Sequence, residues 1–233
     1  MDKHLFFDLD RTLWDFERNS KHALQEIYES LSLHQILPPF GTFHYHYQKK
    51  NGELWRKYGK GKITKEKLRT ERFHQTLKTF QIEHPELVSK IAELYVQISP
   101  RQTLLFPGAI ETLTALKNDG YLLHIITNGF KEVQHIKLEQ SKLQPFFEII
   151  LCSEEVGKNK PALEVFQHAL QSSGAKPMNS IMIGDDLQVD ILGAERAGMQ
   201  SILFDPENFY RNYSGHKVQQ LNEIPEKLPW MFK

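Results

Sequence analysis

Carboxylate, hydroxyl and ammonium side chains follow several short apolar segments of this 233-residue chain. The first such segment ends in Asp8-Leu9-Asp10-Arg11-Thr12, and alternation along an extended chain points Asp8 and Asp10 the same way. Two carboxylates so close repel each other unless a cation or a shared proton relieves them. The pair indicates a cation site or acid–base chemistry, although a polar turn that uses Asp as a turn former would look similar.

Polar residues also follow three later apolar segments. Thr127-Asn128-Gly129 stands before a predicted helix, where a hydroxyl and exposed N–H groups can hold a phosphate. Lys160 precedes Pro161 at another predicted helix start, where the helix dipole disfavours an ammonium, so an anionic partner is indicated. Gly184-Asp185-Asp186, followed by Asp190, adds further carboxylates. Each motif alone is more often a turn or a solvated charge, but their combination indicates a reactive site.

The elements that must position these side chains alternate between two types. Five short apolar runs are typical of strands buried on both faces of a parallel sheet: His4 to Phe7, Leu122 to Thr127, Phe147 to Cys152, Ser180 to Gly184 and Ser201 to Phe204. Helical spacing lies between them, at Ala109 to Lys117, Lys131 to Ser141, Pro161 to Gln171 and Ile191 to Ala197. This alternation predicts an α/β fold with a Rossmann-like parallel sheet, whose strand ends meet at one edge.

A long helical segment interrupts this alternation of strands and helices after the first strand. Residues 15–100 show helical spacing throughout and no convincing strand, so we expect them to form an inserted module. The predicted domains are an α/β core of residues 1–14 and 101–233 and a helical cap of residues 15–100. Open α/β sheets bind ligands beyond the carboxyl ends of their strands, and the insertion leaves the sheet at that place. The final residues, Asn222 to Lys233, are predicted to form one short helix and a packed tail.

Composition excludes several classes of partner. Lys and Arg number 29 and so do Asp and Glu, which argues against a generally basic nucleic-acid binder. No apolar run approaches the roughly 18 residues that a membrane helix needs. The start of the chain does not resemble a signal peptide, and the single cysteine, Cys152, cannot form an internal disulfide. We therefore expect a cytoplasmic protein without nucleic-acid or membrane partners, either a monomer or a homodimer.

Read in order, the four motifs resemble those of the haloacid dehalogenase (HAD) superfamily of phosphohydrolases. They are Asp8-Leu9-Asp10-Arg11-Thr12, Thr127-Asn128, Lys160-Pro161 and the segment from Gly184 to Asp190, and the resemblance spans residues 4 to about 204. The helical insertion is similar to the C1 cap of subfamily I. Phe106-Pro107-Gly108 resembles the segment by which such chains return from cap to core.

The resemblance implies a role for each motif residue. Asp8 would be the nucleophile that forms an aspartyl phosphate, and Asp10 the general acid and base. Asp8, the backbone carbonyl of Asp10 and Asp185 would hold Mg²⁺. Thr127 and the Asn128 backbone would bind the phosphoryl oxygens, and Lys160 would neutralise charge on the nucleophile and the phosphate. The supporting residues would be Asp190, which orients Lys160 or a bound water, and Asp186.

The second carboxylate separates branches of the superfamily. The dehalogenases attack carbon without Mg²⁺ and lack an acid two residues after the nucleophile, so Asp10 favours phosphate chemistry. The sequence DLDRTLWDFERNS and the cap length are most similar to the 5′-nucleotidase branch, which implies a nucleoside monophosphate as the small phosphorylated substrate. A phosphatase for phosphoglycolate or a sugar phosphate is the alternative within the class. The partner of Arg11 cannot be named from the sequence.

Two readings from other classes fit less well. A phosphoacceptor domain of the receiver type combines similar groups, but it carries its Lys last, whereas Lys160 precedes Gly184-Asp185 here. A catalytically inactive binding protein would not need the complete acidic set. Trp14, Phe16 and Trp55 are candidates for selecting the leaving group. Trp14 and Phe16 have aromatic rings that can stack on a planar base, with hinge or core packing as the alternative. Trp55 begins a segment, Trp55 to Lys67, with two glycines and several cations, for which a solvated, charged helix junction is the alternative.

Overall fold

The computed structural model describes residues 2–232, and the chain divides into two compact units. One unit comprises the chain before Glu17 together with the chain after Gln102, and the other is Glu17–Gln102. Lys233, the last residue of the predicted tail, lies outside the described residues.

The first unit is built on a parallel sheet of six strands. They are β1 His4–Phe7, β2 Leu122–Thr127, β3 Ile149–Cys152, β4 Ser180–Gly184, β5 Gln200–Phe204 and β6 Lys217–Val218. Their order in the sheet is β3-β2-β1-β4-β5-β6. This is the doubly wound arrangement, in which the strand order reverses next to the first strand. The predicted α/β fold class is therefore confirmed.

The register of the central strands brings the predicted motifs together. Phe7 of β1 lies opposite Ile125 of β2 on one side and opposite Ile183 of β4 on the other. The Asp8 N–H then donates to the Ile183 carbonyl at 2.9 Å, which continues the pairing one residue beyond β1. The carboxyl ends of the three strands are consequently neighbours at one edge of the sheet.

The helices of this unit cover both faces of the sheet with apolar side chains. They are α5 Ala109–Asn118, α6 Lys131–Gln140, α7 Leu163–Ser173, α8 Leu192–Arg196 and α9 Ile224–Met231. One core cluster contains Leu5, Phe7, Ile125 and Ile183, and the other contains Phe6 and Met182, because successive residues of a strand point to opposite faces. Each face therefore has its own core.

Some predicted boundaries were wrong. Pro161 does not begin a helix, since α7 starts at Leu163, and the Lys160–Pro161 peptide bond is cis. The segment predicted as a helix from Ile191 starts earlier, as one turn of π-helix at Leu187–Ile191 that continues into α8. The third strand starts at Ile149 instead of Phe147, and β6 was not predicted.

The second unit is helical throughout. Its helices are α1 Phe16–Ser30, α2 Phe40–Gly59, α3 Lys65–Thr79 and α4 Pro85–Ile98, of which α1 begins one residue before the unit boundary. Apolar residues at helical spacing, such as Leu24, Ile27, Phe73 and Ile91, form a core cluster of this unit. No helix among residues 2–232 is long and apolar enough to cross a membrane.

Candidate active site

A buried lysine forms the centre of the site. The Lys160 ammonium donates three hydrogen bonds: to Asp8 Oδ1 at 2.7 Å, to Asp190 Oδ1 at 2.6 Å and to the Ile126 carbonyl at 2.7 Å. Lys160 is only 2% exposed. An ammonium has three N–H groups, so all of its donors are used and its charge lies between two carboxylates.

The segment before α7 places Lys160 there through its backbone. The Asn128 side chain accepts a hydrogen bond from the Lys160 N–H at 2.8 Å and donates one to the Lys160 carbonyl at 3.0 Å. This pair of bonds connects the loop after β2 to the loop that carries Lys160. The Asn128 side chain therefore has a structural contact, separate from the phosphate contact that was expected of its backbone.

Carboxylates outnumber the ammonium at this edge of the sheet. Burial raises the pKa of Asp8 to about 7 although Lys160 opposes the shift, and repulsion from Asp190 contributes to it. Burial also raises the pKa of Asp185 well above its ordinary value, with added repulsion from Asp190 and Asp8. For Lys160, burial acts to lower the pKa, but the carboxylates of Asp190 and Asp8 outweigh burial and raise it. The carboxyl groups of Asp8, Asp185 and Asp190 are therefore hard to ionise together.

Three of the acidic residues are close enough to hold a cation together. Asp8, Asp185 and Asp190 each present an oxygen, and these atoms all lie within 4.8 Å of one another. Carboxylate oxygens are the ligands that hard divalent cations such as Mg²⁺ prefer. A divalent ion would also relieve the repulsion between carboxylates that contributes to the raised pKa values of Asp8 and Asp185. The donor set and its charge thus fit such an ion.

Asp190 reaches this position because Gly184 has no side chain. A Cβ added to Gly184 would lie 2.4 Å from Asp190 Oδ2. The second oxygen of Asp190 accepts a hydrogen bond from the Asp186 N–H at 3.2 Å. Asp186 in turn caps the π-helical turn, since its carboxylate accepts from the N–H groups of Gln188 and Val189 at 2.9 and 3.0 Å. Asp186 therefore stabilises the turn that carries Asp190.

The Asp10 carboxylate lies in a second polar cluster. It accepts hydrogen bonds from the Lys137 ammonium at 2.6 and 2.8 Å and from Gln134 Nε2 at 2.8 Å. The same Gln134 nitrogen donates to Thr127 Oγ1 at 2.8 Å, and Thr127 Oγ1 also accepts from the Gly129 N–H at 3.1 Å. Asp8 and Asp10 thus pair with different lysines.

Sequence reasoning missed Lys137 and Gln134. Both lie in α6, whose pattern was used only to predict a helix, although both side chains are buried. A Lys and a Gln three residues apart occupy the same face of a helix, here the face turned inward. Polar residues on the buried face of a helix next to Thr127-Asn128 would have been the signal.

The aromatic candidates occupy different places. Trp14 is fully buried, and the Lys137 ammonium lies 4.2 Å from the centre of its ring. Phe16 is partly buried, with the Arg11 guanidinium 4.5 Å from its ring centre, which supplies a contact for Arg11 that the sequence could not name. Trp55 belongs to α2 in the helical unit, where its ring packs edge-on against Tyr58.

The described geometry agrees with comparisons to known proteins. Residues 5–204 match the model of the haloacid dehalogenase-like hydrolases. The chain belongs to this family, and it is an enzyme of the HAD hydrolase type, the class that includes the HAD phosphatases.

Individual relatives cover nearly the whole chain. The chain is 32% identical to the pyrimidine 5′-nucleotidase YjjG of Escherichia coli, over 94% of this chain and 96% of that protein. It is 30% identical to a glyceraldehyde 3-phosphate phosphatase of Pyrococcus furiosus, over 97% of this chain and 92% of that protein. Among solved structures, the magnesium-bound HAD-hydrolase YfnB of Bacillus subtilis is similar with a TM-score of 0.87 and 27% identity. That match covers 98% of this chain and 100% of YfnB.

Proposed function

We propose that this protein is a Mg²⁺-dependent phosphomonoester hydrolase that acts through a phosphorylated Asp8. The observation that carries the proposal is the close group of Asp8, Asp185 and Asp190, in which the Lys160 ammonium pairs with Asp8 and Asp190. Phosphate monoesters are among the slowest substrates to hydrolyse without a catalyst, and their hydrolysis develops charge that a dense set of fixed charges can stabilise.

In the first step the Asp8 carboxylate attacks phosphorus and the bond from phosphorus to the ester oxygen breaks. Asp10 donates its proton to that oxygen, so the alcohol leaves neutral and Asp10 becomes a carboxylate. Lys160 offsets negative charge beside Asp8, with which it forms a 2.7 Å hydrogen bond. The Thr127 hydroxyl and the Asn128 N–H bind the phosphoryl oxygens.

In the second step water attacks the phosphorus of the aspartyl phosphate. Asp10 takes a proton from that water, the bond between phosphorus and the Asp8 oxygen breaks, and inorganic phosphate leaves. Asp8 is regenerated as a carboxylate and Asp10 as an acid. One residue serves both steps because the proton that Asp10 gives to the leaving alcohol in the first is replaced by a proton from water in the second.

The residues that would hold Mg²⁺ are Asp8, Asp185 and the backbone carbonyl of Asp10. When bound, the ion supplies positive charge to the phosphate and to the buried carboxylates. Asp190 keeps Lys160 in place from the opposite side, through the 2.6 Å bond between their side chains. This arrangement leaves Asp190 as a supporting group beside the ligands.

For the substrate we propose a nucleoside 5′-monophosphate. Its support is the 32% identity to a pyrimidine 5′-nucleotidase over nearly the full length of both proteins. The similar relationship to a glyceraldehyde 3-phosphate phosphatase favours a sugar phosphate as the second candidate. Both belong to the small phosphorylated metabolites of the cytoplasm, and both use the same chemistry at Asp8.

A substrate panel tests both parts of the proposal. We expect pyrimidine nucleoside 5′-monophosphates to have kcat/KM at least about 10-fold above glyceraldehyde 3-phosphate and phosphoglycolate, and we expect turnover to need Mg²⁺. Higher kcat/KM for the sugar phosphates would reject the nucleotide substrate but would leave the proposed reaction at Asp8 unaffected. Sustained turnover of any ester by Asp8→Asn would reject the chemistry itself.

A further inference from the structure

The Asp10 carboxylate is held by two side chains of one helix. Lys137 reaches both of its oxygens, and Gln134 donates to one oxygen and to the Thr127 hydroxyl through a single nitrogen. Lys137 is 4% exposed and Gln134 is fully buried. Buried polar side chains of this kind are costly unless their partners are present, so the cluster is held together as a unit.

The surrounding residues make room for this cluster. A Cβ on Gly129 would lie 1.7 Å from Gln134 Nε2, so only glycine at this position allows the amide to reach Asp10 and Thr127. On the other side the fully buried Trp14 ring covers the Lys137 ammonium at 4.2 Å from the ring centre. An aromatic face attracts a cation and keeps water away from it, which strengthens the two hydrogen bonds from Lys137 to Asp10.

We infer that Lys137 and Gln134 are positioning residues for the proton-transfer group of this enzyme. Together they orient the Asp10 carboxylate, and Gln134 fixes its position relative to the Thr127 hydroxyl. The inference rests on the proposed function, in which Asp10 transfers the proton and Thr127 binds a phosphoryl oxygen. Neither residue touches the reacting atoms in this scheme, because both act through Asp10.

The effect of losing Lys137 should depend on the leaving group of the ester. An alkoxide is a poor leaving group and needs the proton from Asp10, whereas a nitrophenolate leaves without one. Loss of Lys137 therefore affects alkyl esters more than aryl esters. Damage to the fold or to the phosphate site would lower both to the same degree.

The test compares kcat/KM for a nucleoside 5′-monophosphate and for 4-nitrophenyl phosphate, since kcat/KM reports the step that forms the aspartyl phosphate. For Lys137→Met we expect a loss of about 100-fold on the alkyl ester and of less than about 10-fold on the aryl ester. Lys137→Arg keeps a cation within reach of Asp10 and should restore most of the alkyl activity. Lys131→Met, which removes an exposed lysine from the same helix, is the matched control and should leave both values unchanged.

A double-mutant cycle shows whether Lys137 acts through Asp10. Asp10→Asn should give the same preference for the aryl ester, and adding Lys137→Met to it should lower kcat/KM by less than about 3-fold more. If Lys137→Met does not fold, Gln134→Leu takes its place in the same cycle.

Equal losses on both esters, no loss at all, or full additivity with Asp10→Asn would overturn the inference. These results differ from a failure of the proposed function. In that case the wild-type protein hydrolyses neither ester, or Asp8→Asn retains turnover.

Discussion

The central strands carry polar side chains at both ends, and the two ends differ in whether those side chains are charged. At the carboxyl ends Asp8 and Asp190 pair with the ammonium of Lys160, and Asp185 presents an oxygen within 4.8 Å of oxygens of both. In the amino-terminal halves of β1 and β2, His4 and His124 form a stacked pair whose ring nitrogens lie 3.0 Å apart. Both groups are buried, so burial alone does not distinguish a reactive site from a packed one.

The difference lies in what burial does to the charged form. Burial, with a smaller contribution from the neighbouring His4, lowers the pKa of His124 to about 4, and burial also lowers the pKa of His4. The pair is therefore neutral at pH 7 and packs against Phe6 as an aromatic pair would. Burial raises the pKa of Asp8 to about 7, yet Lys160 holds a hydrogen bond that suits the carboxylate form. The neutral histidine pair needs no counter-charge, whereas the carboxylates are stabilised by added positive charge. Closely spaced carboxyl groups that lack enough positive charge therefore support a functional site at the carboxyl ends of the strands.

The largest expected effect comes from removing the ammonium. Lys160→Met leaves Asp8 and Asp190 buried without their partner, which should cost about 3–5 kcal/mol of unfolding free energy and roughly 10³-fold in kcat. Urea unfolding at pH 8 and steady-state kinetics measure the two quantities. Lys158→Met removes an exposed lysine from the same loop and should change stability by less than about 0.5 kcal/mol. Equal stability of the two variants would show that Lys160 is not the centre of the charge balance.

Mg²⁺ should stabilise the folded protein by binding at the carboxyl ends of the central strands, away from the histidine pair. An ion that binds only the folded protein contributes about 2.7 kcal/mol at 100 times its Kd, which for a chain of this size raises Tm by roughly 5–10 °C. Thermal unfolding with and without MgCl₂ measures the shift, without any need for turnover. Asp185→Asn should lose most of it, while His124→Gln should retain it. A shift that survives Asp185→Asn would place the ion elsewhere.

The smallest effect belongs to the histidine pair and depends on pH. His124 has an ordinary pKa of 6.5 when unfolded and about 4 when folded, so the unfolded chain binds more protons between these values and acid destabilises the fold. The wild type should lose about 2 kcal/mol relative to His124→Phe between pH 7 and pH 5. Urea unfolding of both proteins at both pH values gives this difference. Because the acidic cluster is common to both proteins, its own titration cancels. A pH-independent difference would contradict a neutral buried pair.

Much of the fold could be predicted from the sequence, because buried parallel strands are short, continuous and apolar. The runs at β1, β2 and β4 match the observed strands, and the polar residues after them do meet at one sheet edge. Strand β6 has only two residues, too few to form a pattern. The start of α7 was misplaced because Pro161 suits a helix start, while here Lys160 and Pro161 lie in a turn, in which the Ala162 N–H donates to the Asn159 carbonyl at 3.0 Å, and the helix begins only at Leu163.

Only those site residues that directly follow a predicted strand or stand before a predicted helix could be predicted from the sequence. Asp8, Thr127, Lys160 and Asp185 occur in motifs, so their residue types and spacing are visible in the chain. Lys137 and Gln134 are separated from Asp10 by more than 120 residues and lie within an ordinary helix. Their role depends on which face of α6 turns inward, which packing determines. Local sequence carries little information about that choice.

The measurement that tests the central claim most directly is to trap the intermediate on the enzyme. The protein is mixed with excess substrate and Mg²⁺, quenched in acid within milliseconds and examined by intact mass and peptide mapping. We predict the added mass of one phosphoryl group on the peptide that contains Asp8, removable by hydroxylamine as an acyl phosphate is, and absent from Asp8→Asn. Phosphate on any other residue, or turnover by Asp8→Asn, would contradict the account.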